Sequence, residues 1–214
     1  MPGKFITFEG PDGAGKTSVM KAVSQQLQVE LGDQLVVTRE PGGNPISEAI
    51  RQIILDKNNT AMDVRTEALL YAAARRQHLS ETILPALAAN KLVLCDRYID
   101  SSVVYQGAGR EIGERAVYDM NQFATEGLMP DLTLYFEVPV EVGLARIAKN
   151  RPSQAQDRLD LEQAAFHERV HDAYLKLVAG DPKRIKVIDA TAPLEQVEQE
   201  TLTIIKNSAS SYFK

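Results

Sequence analysis

An α/β fold, with one parallel sheet between two layers of helices, is what the 214-residue sequence predicts. Three observations carry this expectation. Five short apolar runs recur along the chain, at 4–9, 35–38, 92–95, 132–137 and 185–188. Helical patterns of ten or more residues stand between them, which suits a parallel sheet better than hairpins. The runs are also nearly unbroken in apolar character, as in Leu132-Thr133-Leu134-Tyr135-Phe136, and such strands are buried on both faces.

Taken in order, the first strand, Phe5-Ile6-Thr7-Phe8, leads directly into Gly10-Pro11-Asp12-Gly13-Ala14-Gly15-Lys16-Thr17. That stretch fits G-x-x-x-x-G-K-[ST], the phosphate-binding P-loop. Glycines there let backbone N–H groups turn inward around an anion, and the following helix adds the positive end of its dipole. Lys16 would reach the terminal phosphates and the Thr17 hydroxyl would hold Mg²⁺. From Ser18 to Leu31, apolar residues fall at Val19, Met20, Val23, Leu27 and Leu31, which is helical spacing. With five apolar runs alternating with helices and a phosphate loop after the first, the expected fold is a three-layer α/β/α of P-loop NTPase type with five parallel strands. Gly10, Asp12, Gly13, Ala14, Gly15, Lys16, Thr17 and Ser18 form the expected nucleotide phosphate site.

The second run, Leu35-Val36-Val37, ends in Thr38-Arg39-Glu40-Pro41-Gly42-Gly43, and the third, Leu92-Val93-Leu94-Cys95, ends in Asp96-Arg97. Ligands of parallel sheets bind outside the carboxyl ends of the strands. That rule gathers Asp12, Arg39, Glu40, Asp96, Arg97 and Glu137 onto one edge. Asp96 suits an acid that helps position Mg²⁺, although an Asp at a strand end also caps helices. Arg97 offers a planar fork of donors to a phosphate, or a salt bridge to Asp12 or Glu40. Asp12 would repel a polyphosphate unless it faces something else, so Asp12 and Glu40 suggest a second ligand bearing hydroxyls.

Composition narrows the partners. Lys and Arg number 24 against 29 Asp and Glu, a net charge of −5, which argues against nucleic acid or an anionic membrane surface. No signal pattern and no apolar stretch near 18 residues occurs, so a soluble, cytoplasmic chain is expected. One cysteine, Cys95, allows no internal disulfide and reads as a buried small hydrophobe. His78, His167 and His171 form no metal set with it, and the His167–His171 pair reads as solvated helix positions. No repeat or linker divides the chain, so a single domain over 1–214 is expected.

Asp96-Arg97-Tyr98-Ile99-Asp100-Ser101-Ser102-Val103-Val104-Tyr105-Gln106-Gly107 resembles the D-R-Y/H-x-x-S-x-x-A-Y-Q signature of thymidylate kinases. Glu9 to Thr17 and Thr38 to Gly43 resemble that family's first two motifs, and Pro130-Asp131 and Asp189-Ala190-Thr191 resemble later ones. The similarity runs through nearly the whole chain, most like bacterial members from Gram-positive organisms. Val104 stands where Ala is usual, and Tyr71 where many members carry Phe.

The resemblance implies phosphoryl transfer from ATP to dTMP with Mg²⁺, the ion being held by Thr17 and Asp96. It places Tyr71 stacked on thymine and Arg75 donating to its O4 atom, two residues that share a helix face at i, i+4; an amphipathic core helix would show the same spacing. By the same resemblance Ser102 and Gln106 lie at the base, Gln106 pairing with the thymine edge, and Tyr105 crowds the sugar 2′ position. Arg51 and Arg97 are placed on the dTMP phosphate, with Asp12 and Glu40 toward the 3′-hydroxyl. Lys16, Arg97, Arg158 and Arg151 are the catalytic set. Members without an arginine in the P-loop draw a basic group from the lid, and this loop has Asp12-Gly13-Ala14. The polar stretch at about 150–159 is therefore the expected lid, with Arg158 and Arg151 its cations and Arg146 a third candidate. Family members are commonly homodimers, and the alanine-rich helix expected over 63–89 is a suitable interface. Two alternatives stand beside this reading: another nucleoside monophosphate kinase, and a slow GTP switch. For the switch the chain lacks N-K-x-D, since Asn90-Lys91 continues into Leu92-Val93.

Overall fold

Five strands form where the apolar runs fall, in a computed structural model that describes residues 3–150, 158–159 and 162–213. They are β1 (Lys4–Glu9), β2 (Leu35–Arg39), β3 (Leu92–Asp96), β4 (Leu132–Glu137) and β5 (Ile185–Asp189). Their order is β2-β3-β1-β4-β5, and every pairing is parallel. The helices are α1 (Lys16–Leu31), α2 (Pro45–Leu55), α3 (Val64–His78), α4 (Leu84–Ala88), α5 (Ile99–Ser102), α6 (Glu114–Thr125), α7 (Val140–Asn150), α8 (Ala164–Gly180) and α9 (Leu194–Ser208). The helix expected over 63–89 is real but divided: a π-helical turn, Leu79–Ile83, joins α3 to α4. A second π-helical stretch, Val103–Gly109, extends α5.

Alternation along the strands sorts the core into two layers. Ile6 and Phe8 of β1 point to the face covered by α1 and α9, where Val23, Leu27, Val197 and Ile205 are buried. Phe5 points to the opposite face and packs with Leu79, Ile83, Tyr98 and Ile99. Farther along that face, Tyr135 and Ile185 meet Phe166, Val170 and Tyr174 of α8. Thr7 is the polar exception within residues 5–8 of β1, and its hydroxyl is hydrogen-bonded to that of Thr133 on β4 at 2.9 Å. Cys95 is fully buried as expected, and burial pushes its thiol well above the ordinary range.

The two histidines of α8 are not solvated. His167 is buried edge-on to the Phe166 ring, and His171 Nε2 lies 3.1 Å from Glu137. Apolar neighbours at Phe166 and Val170 turn this helix face inward and take the histidines with it. Among the described residues no helix is long and apolar enough to cross a membrane.

A buried ion pair ties the start of β5 to α5. Arg184 Nη1 and Nη2 donate to the two oxygens of Asp100 at 2.6 and 3.1 Å, and Nη1 also reaches Thr133 at 2.8 Å. Arg184→Met would strand a carboxylate that is 4% exposed. It is expected to lower unfolding free energy by about 3–5 kcal/mol in urea titration, with the double change Arg184→Met/Asp100→Leu recovering most of it.

Candidate active site

Phosphate chemistry needs inward-facing N–H groups, and the turn after β1 supplies them by excluding side chains. Gly13 has φ +79°, and a Cβ there would sit 2.2 Å from the Gly143 carbonyl oxygen; at Gly10 it would meet that of Phe136 at 2.6 Å. The first turn of α1 has no side-chain cap, so its leading N–H groups are left for an anion. Lys16 lies folded over the loop, donating to the Gly10 and Pro11 carbonyls at 2.9 Å each. Burial, and then the nearby Arg97 cation, bring its ammonium down to about 8.

Across the sheet edge, β3 delivers Asp96 and Arg97. Thr17 Oγ1 donates to Asp96 Oδ2 at 3.2 Å, while Asp96 Oδ1 is buried with no hydrogen-bond partner among the described residues. A hydroxyl oxygen beside a carboxylate oxygen with an open lone pair is a donor set suited to a hard divalent cation. Arg97 has φ +71° and is held by many partners: Asp12 at 2.7 Å, Gly10 O at 3.1 Å, Ser101 at 3.0 Å and Tyr105 at 3.2 Å. Tyr105 in turn donates to Asp12 at 3.2 Å. The acid within the phosphate loop is thus neutralised by the arginine after β3. Glu9, fully buried at the end of β1, sets this turn. It accepts from Tyr98 N, Ser101 N, Ser101 Oγ and Tyr174 OH. Burial, with Asp100 next, raises its carboxyl above the ordinary value.

Helix α3 builds the second half of the site. Glu67, Tyr71, Arg75 and His78 recur at i, i+4, i+8 and i+11, one polar stripe on an alanine-rich helix. Arg75 is 2% exposed and commits four N–H groups: Nε to Glu40 at 2.7 Å, Nη1 to Ser102 at 2.9 Å and to Asn121, and Nη2 to Tyr98 O at 3.0 Å. The second Nη2 N–H is uncommitted among the described residues. Glu40 gives its other oxygen to His78 Nδ1 at 3.0 Å, and His78 Nε2 meets Thr38 Oγ1 at 2.6 Å. Glu40 therefore braces Arg75 rather than standing free for a sugar hydroxyl, the first position expected of it. Glu40, His78 and Cys95 have potential ligand atoms within 4.8 Å of one another. Their hydrogen bonds to Arg75, to Thr38 and from the thiol to Arg97 O make them a closed polar cluster.

Two clefts meet at the phosphate loop. One, of about 320 Å³, lies between α3 and the loops after β1, β2 and β3. It is lined by Glu40, Arg51, Tyr71, Arg75, Ser102 and Gln106, with Arg97 and Tyr105 at its phosphate-loop end. The other, of about 370 Å³, lies over Gly13, Ala14, Gly15 and Ser18, flanked by Arg146 and the Ala190–Val197 region. Asp12, Lys16 and Thr17 line both. Arg146 Nη1 donates to Ala190 O at 3.0 Å beside the second cleft. Arg158 stands apart from both, donating to Ile54 O at 3.0 Å and to Glu67 Oε2. Arg151 lies outside the described residues. Glu67, His78, Arg110 and Asn121 were not among the site residues expected from sequence, although the stripe on α3 carries the signal for the first two.

This geometry has close relatives. The family model described as thymidylate kinase matches residues 8–201. The thymidylate kinase of Levilactobacillus brevis is 68% identical over 213 residues, covering 100% of both chains. That of Latilactobacillus sakei is 64% identical over 214 residues, again with 100% of both covered. The crystal structure of thymidylate kinase from Ehrlichia chaffeensis superposes with a TM-score of 0.77 at 29% identity, covering 96% of this chain and 99% of that one. With the phosphate loop, the two clefts and these relatives in agreement, the chain belongs to the thymidylate kinase family.

Proposed function

We propose that this chain transfers the γ-phosphoryl group of ATP to dTMP, giving ADP and dTDP for dTTP synthesis, and that the two clefts are its two substrate chambers. The observation that carries this reading is their meeting at Asp12, Lys16 and Thr17. A phosphate loop shared by two chambers aligns a donor and an acceptor phosphate in line, and alignment is worth a large part of the barrier.

ATP takes the cleft over Gly13, Ala14, Gly15 and Ser18, its phosphates cradled by loop N–H groups and Lys16. The dTMP phosphate lies between Arg51 and Arg97, and its oxygen attacks the γ-phosphorus while the bond to the β–γ bridging oxygen breaks. No general base is needed, because the attacking oxygen is already ionised. Thymine stacks on Tyr71, with O4 on the remaining Arg75 N–H and the pyrimidine edge on Gln106. Ser102 supports Arg75, and Tyr105 closes the sugar end. Asp96 Oδ1 and Thr17 Oγ1 would hold Mg²⁺, which when bound neutralises phosphate charge. Arg158, which pairs with Glu67, is the lid arginine, with Arg151 a second lid cation. The whole of 1–214 works as one domain with a lid at about 150–159, and its two nucleotide substrates are those of a cytoplasmic enzyme.

Coupled ADP release with dTMP, dUMP, AMP, GMP and CMP offered in parallel tests the assignment. Fast turnover on dTMP, with some on dUMP, is expected; preference for another monophosphate, or turnover indifferent to the acceptor, overturns it. The lowered Lys16 ammonium adds a pH signature. Free Lys16 is charged below pH about 8 and neutral above it, and phosphate oxygens raise it on binding. Calorimetry of ADP binding in chelator-containing buffers of different ionisation heats should show close to one proton taken up at pH ~9 and no net uptake at pH ~6.5, where Lys16 is already charged and the ADP terminal phosphate gives up part of its own proton. Lys16→Met should abolish the uptake.

The partner surface we assign to a second copy of the chain is formed by α3 and α6. Leu69 of α3 and Phe123 of α6 are 59% and 90% exposed on helices that pack together. Sedimentation equilibrium should give a dimer for the wild type and a shift to monomer for Leu69→Glu/Phe123→Glu. A monomeric wild type would refute the surface.

A further inference from the structure

We propose that Glu67 sets the base specificity of the acceptor chamber by fixing which end of the Gln106 amide faces the ligand. The inference rests on the reading of the 320 Å³ cleft as the dTMP chamber.

Glu67 is 1% exposed and sits one turn before Tyr71 on α3. Its Oε1 accepts from Gln106 Nε2 at 2.9 Å and from Arg110 Nε at 3.3 Å. Its Oε2 accepts from Arg158 and pairs with Arg110 Nη2 at 3.1 Å. Burial alone would raise its carboxyl, but Arg110, the Gln106 hydrogen bond and Arg158 outweigh that and hold it below the ordinary value. Glu67 is therefore an ionised group that can only accept.

That leaves Gln106 no choice. Its side chain is 2% exposed, so turning the amide over would press an oxygen against the Glu67 carboxylate with no water to relieve it. The NH₂ end must face Glu67, and the carbonyl end is left for whatever enters the chamber that Gln106 lines. A carbonyl oxygen accepts from the N3–H of thymine or uracil. Against cytosine it meets the N3 lone pair, and the pairing fails. The uncommitted Nη2 N–H of Arg75 makes the complementary demand, a ring carbonyl oxygen beside the N–H. One carboxylate outside the ligand's reach thereby imposes an acceptor-next-to-donor pattern on the pocket. Glu67 is a positioning residue, acting through Gln106.

The test compares kcat/KM for dTMP and dCMP in the wild type, Glu67→Gln, the swap Glu67→Gln/Gln106→Glu, and Gln106→Ala. In Glu67→Gln the α3 side chain can accept or donate, so Gln106 is free to turn. The dTMP-over-dCMP ratio should then fall by about 10- to 100-fold, the size of one lost charge-assisted hydrogen bond. The swap moves the carboxylate to position 106, where it accepts from the new amide on α3 and again offers only oxygen to the base, and the ratio should return. A role in stability alone would not restore discrimination in this way. An unchanged ratio in Glu67→Gln with a reduced ratio in Gln106→Ala overturns the inference and leaves the chamber assignment standing. An unchanged ratio in Gln106→Ala removes both. If Glu67→Gln does not fold, the swap decides: it keeps both groups and the net charge, and a folded swap without discrimination overturns the inference. In the wild-type protein, the Gln106 side-chain NH₂ followed by ¹⁵N NMR should be protected from exchange with and without dTMP. Loss of that protection when dTMP binds would contradict the orientation on which the inference depends.

Discussion

The pair formed by Asp12 and Arg97 holds the site together. Polyphosphate binding would be easier without a carboxylate in the loop, yet Asp12 lies there, 2.7 Å from a guanidinium delivered by the neighbouring strand. The bond crosses the point where the loops leaving β1 and β3 part, which is where ligands of open α/β sheets bind. Asp12 lines both clefts and Arg97 the first, so the pair braces the wall where the two meet. Arg97 keeps a backbone angle that few residues adopt, and its cost of about 1–3 kcal/mol is offset by the partners around its guanidinium. Glu9 beneath it does the same for the turn that follows, with four hydrogen bonds to one buried carboxylate.

Helix α3 supplies the contrast. The phosphate-loop half of the site is made mostly of backbone, whereas the half against α3 is made of side chains that orient one another. Thr38 meets His78, His78 meets Glu40, and Glu40 holds Arg75. Arg110 and Arg158 hold Glu67, and Glu67 holds Gln106. Buried polar chains of this kind are rigid only when every member is satisfied. Each chain ends on a residue that lines the cleft, Arg75 or Gln106, and in the first chain Glu40 lines it too.

Much of this was legible in the residues, and the failures have physical causes. Five strands fell on the five apolar runs, because parallel strands buried on both faces carry their burial in every residue. The phosphate loop was legible because glycine spacing, lysine and threonine each answer a local need. Hidden in the sequence were contacts between distant segments. Glu40 looked available until Arg75 and His78 took both of its oxygens. His167 and His171 were expected in water because their spacing shows helix but not which way the helix turns, and Phe166 with Val170 decides that. Arg158 stood out from its polar surroundings as a candidate cation. Nothing local to it points to Glu67, which is 91 residues earlier in the chain.

The strand order has a consequence for how the molecule comes into being. β1 lies at the centre of the sheet, and its two neighbours start at Leu92 and Leu132. During synthesis β1, carrying Phe5, Ile6 and Phe8, precedes both of its partners and has no edge to pair with until β3 has followed it. The phosphate loop hangs from the end of that strand, so it too stays unformed. A nascent chain of this protein would thus expose an apolar strand until β3 and β4 have flanked it, making binding of ATP a report on assembly of the sheet's centre.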